Sequence, residues 1–173
     1  GTRKGINGRS ITVPVLNAAQ RSFQLFLRTA SQLYFANGIF KMHSIEVEIK
    51  AAASAGDIAA ALNLRQQVFC AEQGFSPEIE QDGEDNGADH IIAVTGIRTV
   101  GCGRIRYFGS YAKLERIAVD SSLRGAGIGR QILNFMVEHC RRRGIAKLRL
   151  SAQVHSLRFY SANGFIPEGE PFD

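Results

Sequence analysis

The sequence predicts an α/β fold, and three features carry the prediction. Short apolar stretches with strand-like patterning recur along the chain, and segments such as 58–72 and 128–142 repeat apolar residues at helical spacing. A glycine-rich turn joins the last of three consecutive strands to the longest helix. Size and composition agree: 173 residues suffice for one domain with an ordinary core, and 45% apolar against 21% charged residues is the balance of a globular chain. Apolar runs stay short of the ~20 residues a membrane span needs.

Taken in order, residues 45–49 alternate as a half-buried strand. Asp57 is positioned to cap a helix over 58–72, where Ile58, Ala61, Leu62, Arg65, Val68 and Phe69 share helical spacing. Residues 74–89 read as a turn-rich loop, and 90–95, 99–107 and 113–119 as three consecutive strands. The glycine turn leads into a helix over 128–142 that ends before Gly144. A strand at 147–150, a helix over 156–163 and a last strand near 165–168 complete the order β-α-β-β-β-α-β-α-β.

Residues 1–43 differ from the rest. They hold Arg3, Lys4, Arg9, Arg21, Arg28 and Lys41 with no Asp or Glu, and Phe23, Phe26, Leu27, Ala30 and Leu33 lie on one helical face. This is either an organellar targeting segment or non-native sequence preceding a start at Met42, and in both cases it is expected to lie outside a domain spanning 44–173. The domain then holds 15 basic and 16 acidic residues, so the overall charge of +5 does not point to nucleic acid. Cys70, Cys102 and Cys140, odd in number and widely spaced, read as reduced thiols.

The segment Leu114–Arg130 is the most informative. Three glycines stand between the strand Ile117-Ala118-Val119 and a helix whose first N–H groups lack partners, which is a cradle for a pyrophosphate. A dinucleotide fold would place its glycines at the strand end and an acidic residue about 20 positions on. Here Asp120–Leu123 intervene, and Lys147–Leu150 is followed by Ser151 and Ala152. A P-loop needs Gly-Lys-Ser/Thr, and the chain has Gly129-Arg130-Gln131. What fits is the acyl-coenzyme A loop Arg/Gln-x-x-Gly-x-Gly/Ala, matched by Arg124, Gly127 and Gly129.

With this loop, Phe159-Tyr160-Ser161-Ala162-Asn163-Gly164-Phe165 resembles the Phe-Tyr-x-x-x-Gly-Phe signature of the GCN5-related N-acetyltransferase (GNAT) family. Val68-Phe69-Cys70-Ala71-Glu72-Gln73, the acidic loop ending in His90, Lys113–Ile117 and Ala152-Gln153 are similar to its ElaA/YjcF-type branch, and the resemblance spans 45–172. It implies a mixed central sheet flanked by helices and an acetyl-CoA dependent N-acetyltransferase. Family members finish with one more strand than this chain contains, so exposed edges are expected in the second half of the sheet.

The resemblance also implies roles. Backbone N–H groups of the loop Arg124, Gly125, Ala126, Gly127, Ile128, Gly129 and Arg130 would bind pyrophosphate, supported by the Arg124 and Arg130 side chains. The strand carrying Ile117, Ala118 and Val119 would splay from its neighbour, pair with the pantetheine arm and polarise the thioester carbonyl. Gln153 would touch that arm, and Tyr160 would protonate the departing thiolate. Glu115, Glu72 and His90 are the candidate bases. Glu78, Glu80, Asp82, Glu84, Asp85 and Asp89 form a run without basic residues, either a solvated loop or a rim attracting a cationic amine. Asp82-Gly83-Glu84-Asp85-Asn86-Gly87 resembles the opening of a calcium loop, but the twelfth position is Ala93 where Glu is required, so no metal is expected. The expected partner is a small-molecule amine, with no nucleic acid and no membrane. The protein is expected as a monomer or homodimer in the cytoplasm, or in an organelle if residues 1–43 are native.

Overall fold

The computed structural model describes residues 8–14 and 46–172. Strands β1 (Gly8–Pro14), β2 (Glu48–Ala51), β3 (Asp89–Thr95), β4 (Arg98–Phe108), β5 (Tyr111–Val119), β6 (Lys147–Gln153) and β7 (Ile166–Phe172) form one sheet in the order β2-β3-β4-β5-β6-β1-β7. The β5–β6 pair is parallel and the other neighbours are antiparallel, so the sheet is mixed. Helices α1 (Ala55–Arg65), α2 (Pro77–Glu80), α3 (Ile128–Arg142) and α4 (Leu157–Ala162) accompany it. Among the described residues no helix is long and apolar enough to cross a membrane.

Side-chain alternation along the strands builds two apolar layers. Ile92 of β3 joins Ala61 and Leu64 of α1, Val68, Cys102 and Ala118 in one cluster. Its neighbour Ile91 points the other way, into the cluster holding Ile128, Ile132, Leu133, Met136 and Cys140 of α3. Those five α3 residues recur at the predicted helical spacing, and burying a side chain such as Leu133 contributes about 1.5–3 kcal/mol. β4 meets α3 closely at Gly101, where a Cβ would lie 2.6 Å from Ile132 Cδ1 and 3.3 Å from the Ala118 carbonyl oxygen.

Three expectations change. The cap of α1 is Ser54, whose hydroxyl accepts the Asp57 N–H at 3.1 Å, while Asp57 reaches back to the Ala53 N–H at 2.9 Å. The helix expected over 58–72 is α-helical only to Arg65; Gln66–Glu72 is π-helical, with the Gln73 N–H bonding the Val68 carbonyl.

The third change concerns the N-terminal segment. β1 lies inside the sheet, antiparallel to β6 from Gly8↔Gln153 to Pro14↔Lys147 and paired with β7 through Thr12↔Ile166. It therefore does not stand apart from the fold, and the edges expected to be exposed on β6 and β7 face β1. The physical reason is that facing strand edges carry unpaired N–H and C=O groups, which an extended segment satisfies on both sides. The amphipathic stretch at 23–34 lies outside the described residues.

Candidate active site

β5 ends at Val119, and Asp120 turns the chain by accepting the Ser122 N–H at 2.9 Å. Gly125 and Gly127 follow with φ of 82° and 81°, the left-handed region that penalises any Cβ. A Cβ on Gly127 would touch nothing within 4 Å, so the glycine answers a backbone demand and leaves open space over the loop. Gly127 caps α3 without a side-chain hydrogen bond, so the first N–H groups of a 15-residue helix face the loop. Arg130 is exposed beside them.

Arg124 is held differently. Its Nε donates to the Val119 carbonyl at 3.0 Å and its guanidinium grips Glu72 through both carboxylate oxygens, one contact being 2.7 Å. The Arg124 hydrogen bond keeps the Glu72 carboxyl below its usual range. Glu72, a candidate base in the sequence, sits at the end of the π-helical segment against the glycine loop.

β5 and β6 pair only through Tyr111↔Lys147, Ala112↔Leu148 and Lys113↔Arg149. Beyond them the strands part, and Arg116 adopts φ 53°, a bulge opposite the register shift between Cys102 and Arg104 of β4. The wedge opens into a cavity of about 360 Å³ lined by Ile117 and Arg116, by Ser151, Ala152 and Gln153, and by His155, Ser156 and Tyr160. Phe69, Gln73, Phe75, Ile79 and Glu80 complete its wall.

Tyr160 stands on α4 between Phe159 and Phe165, with ring centroids 5.0 and 6.0 Å away in edge-on contact. Burial pushes its phenol up to about 12, so it stays a proton donor at neutral pH. A Cβ on Gly129 would come within 3.7 Å of the Phe159 ring, so α4 rests on the glycine loop. Tyr160, Ile117 and Gln153 thus converge, one helix away from the loop.

The other base candidates lie elsewhere. The Glu115 carboxylate accepts from Arg104 at 3.0 Å, Arg106 at 2.7 Å and Lys113 at 2.9 Å, and is outside the cavity lining. Burial alone would raise its pKa, but Lys113 and Arg106 outweigh it and hold the carboxyl low. His90 is 4% exposed, its Nε2 is 3.4 Å from the Asp85 carbonyl oxygen, and its Nδ1 has no partner among the described residues.

Both belong to an ion-pair cluster that absorbs the acidic loop. Glu80 pairs with Arg65 and Arg116, Asp82 with Arg104 and Arg116, Asp85 with Arg65 and Arg104, and Glu84 with Arg106. Of the run read as a solvated loop or amine-attracting rim, Glu80, Asp82, Glu84 and Asp85 are neutralised by arginines from α1, β4 and β5, Asp89 pairs with His139 and Arg143, and Glu78 is exposed. Sequence reasoning missed Phe75, Ile79, Glu80 and Arg116 as cavity residues; the left-handed backbone of Arg116 has no sequence signature.

A sheet that splays beside a glycine loop capping a helix, with a half-buried tyrosine at the wedge, is the acyl-CoA N-acyltransferase architecture. The chain belongs to the GNAT acetyltransferase family: residues 47–173 match the acetyltransferase (GNAT) domain. Among its relatives is the uncharacterized N-acetyltransferase YjcF of Bacillus subtilis, 36% identical over 105 residues covering 61% of this chain and 75% of YjcF. Protein ElaA of Escherichia coli is 34% identical over 128 residues, 69% of this chain and 82% of ElaA. The ElaA crystal structure superposes with a TM-score of 0.65 at 26% identity, covering 73% of this chain and 95% of that one. A predicted acetyltransferase of Clostridium acetobutylicum, crystallised with acetyl-CoA, shares the fold with a TM-score of 0.62 at 20% identity, covering 74% of this chain and 95% of that chain.

Proposed function

We propose that the chain is an acetyl-CoA dependent N-acetyltransferase that moves the acetyl group directly onto a primary amine of a small molecule. The observation that carries this is the cavity lined by Ile117 of the parted strand, Gln153 and Tyr160, with the Tyr160 helix α4 resting on Gly129 of the glycine loop through Phe159. Acetyl-CoA supplies an activated thioester. Backbone N–H groups of 124–130, with Arg130, take the pyrophosphate charge, and the β6-facing edge of Ile117–Val119 offers hydrogen bonds to the pantetheine arm and the thioester carbonyl. Tyr160 delivers its proton to the leaving sulfur. Of the cavity's other titratable side chains, Glu80 is held by Arg65 and Arg116, so His155 on the rim receives the ammonium proton directly or through a water.

Titrating acetyl-CoA against the protein and a Gly127→Glu variant tests the donor assignment. Micromolar binding lost in the variant is the expected result; equal binding by both proteins would remove the loop from the site. One observation favours a second reading, a coenzyme A binding module without turnover: Glu72, Glu115 and His90 all stand outside the cavity. Thiol release on adding an amine separates the two.

A further inference from the structure

We infer that the acceptor is a primary amine carried on an apolar alkyl or aryl body without a second positive charge, an inference that rests on the acetyl-transfer function proposed above. Beyond the strand wedge the cavity wall presents an apolar patch of Phe69, Phe75 and Ile79 beside Gln73 and the ion-paired Glu80. Phe69 and Phe75 set their rings 6.4 Å apart at 58°, and the Phe75 N–H is fixed to the Phe69 carbonyl at 2.9 Å. Ile79 is 49% exposed at the same cavity, so a ligand with an apolar body would cover surface that water now meets.

Charge points the same way. Glu80 is the one carboxylate among the described lining residues; it is 3% exposed and shared between Arg65 and Arg116, the latter at 2.8 Å. Asp82 beside it holds Arg104 at 2.6 Å and Arg116 at 3.0 Å, and Asp85 holds Arg65 at 2.6 Å. A polyamine or polyamino sugar taking Glu80, the carboxylate of the described lining, as a second anionic anchor would have to break one of its pairs, and burial makes a broken pair costly. The cavity's guanidinium, Arg116, is likewise committed to Glu80, Asp82 and the Ile79 carbonyl at 2.7 Å, so an anionic acceptor gains no unshared cation from it.

The test compares hexylamine and phenethylamine with spermidine and glucosamine as acceptors for the full chain, reading thiol release, with acetyl-CoA affinity measured alongside by calorimetry. The alkyl and aryl amines should show kcat/KM at least tenfold above the polar ones. Ile79→Ser, at a half-exposed position the fold does not depend on, should cut phenethylamine kcat/KM about tenfold through KM and leave acetyl-CoA affinity unchanged. Preference for spermidine or glucosamine, an indifferent Ile79→Ser, or acetyl-CoA binding without turnover of the apolar amines would each overturn the acceptor assignment while leaving the donor site standing. Failure to bind acetyl-CoA at all would remove the acetyl-transfer function and this inference with it.

Discussion

Tyr160 needs its hydroxyl for chemistry and its ring for packing, and the two can be separated. The ring sits between Phe159 and Phe165, so Tyr160→Phe keeps the aromatic contacts and removes only the proton. If the phenol is the general acid, kcat should fall about 10²-fold or more while acetyl-CoA affinity stays within twofold. Because burial lifts the phenol to about 12, the acid form persists through the working range, and the wild-type rate should show no loss near pH 10 from this group. A Phe variant with native kcat would assign the proton delivery elsewhere. Tyr160, Gln153 and the glycine loop were legible in the sequence because contiguous spacing carries them. Glu72 and Glu115 were not, since a carboxylate's availability depends on its cations: Glu115 meets Arg106 nine positions away, and Glu72 meets Arg124 fifty-two positions away.

At the scale of elements, α3 and the three-strand meander were readable because their periodicities are local. The π-helical segment was not, because the same apolar spacing suits an α-helix through Val68 and Phe69. β1 was hidden for a different reason: its pairing partners lie more than 130 positions away, and seven residues in an acid-free segment carry no sign of them. Its place between β6 and β7 makes its contribution measurable. At roughly 0.4 kcal/mol for each of the seven pairs with β6, the strand supplies about 3 kcal/mol. Deleting residues 1–14 should therefore lower Tm by about 6–12 °C and promote self-association through the opened edges. A synthetic peptide of residues 8–14 added in excess should recover part of the loss. An unchanged Tm after deletion would show that the strand adds nothing to the sheet's stability.

At the scale of the whole molecule, ten charged side chains form one neutral cluster. Arg65, Arg104, Arg106, Lys113 and Arg116 face Glu80, Asp82, Glu84, Asp85 and Glu115, tying the 77–89 loop to α1, β4 and β5. The sequence suggested a nearly neutral domain but not this arrangement, because the acidic run contains no cation of its own. Arg104 is fully buried among Asp82, Asp85 and Glu115, so removing it takes one cation from three carboxylates in a partly dry site and leaves each with the partners it keeps in Arg116, Arg65, or Arg106 and Lys113. Arg104→Met should cost about 3–5 kcal/mol, read as a lower urea midpoint. The pH dependence follows in sign. The Arg104 hydrogen bond holds Asp82 well below its ordinary 3.8, and cations hold Asp85 and Glu115 low against the effect of burial. Groups depressed in the folded state bind protons more readily in the unfolded one, so their stabilisation is complete above the unfolded values and fades as acid titrates the folded ones. From these groups the urea midpoint should be flat between pH 6 and 8 and fall steadily below about pH 4.5. Arg104→Met should start lower and fall less steeply, since Asp82 loses the hydrogen bond that depresses it most and Asp85 and Glu115 lose one of their cations. An equally steep acid limb in the variant would place the acid sensitivity outside this cluster.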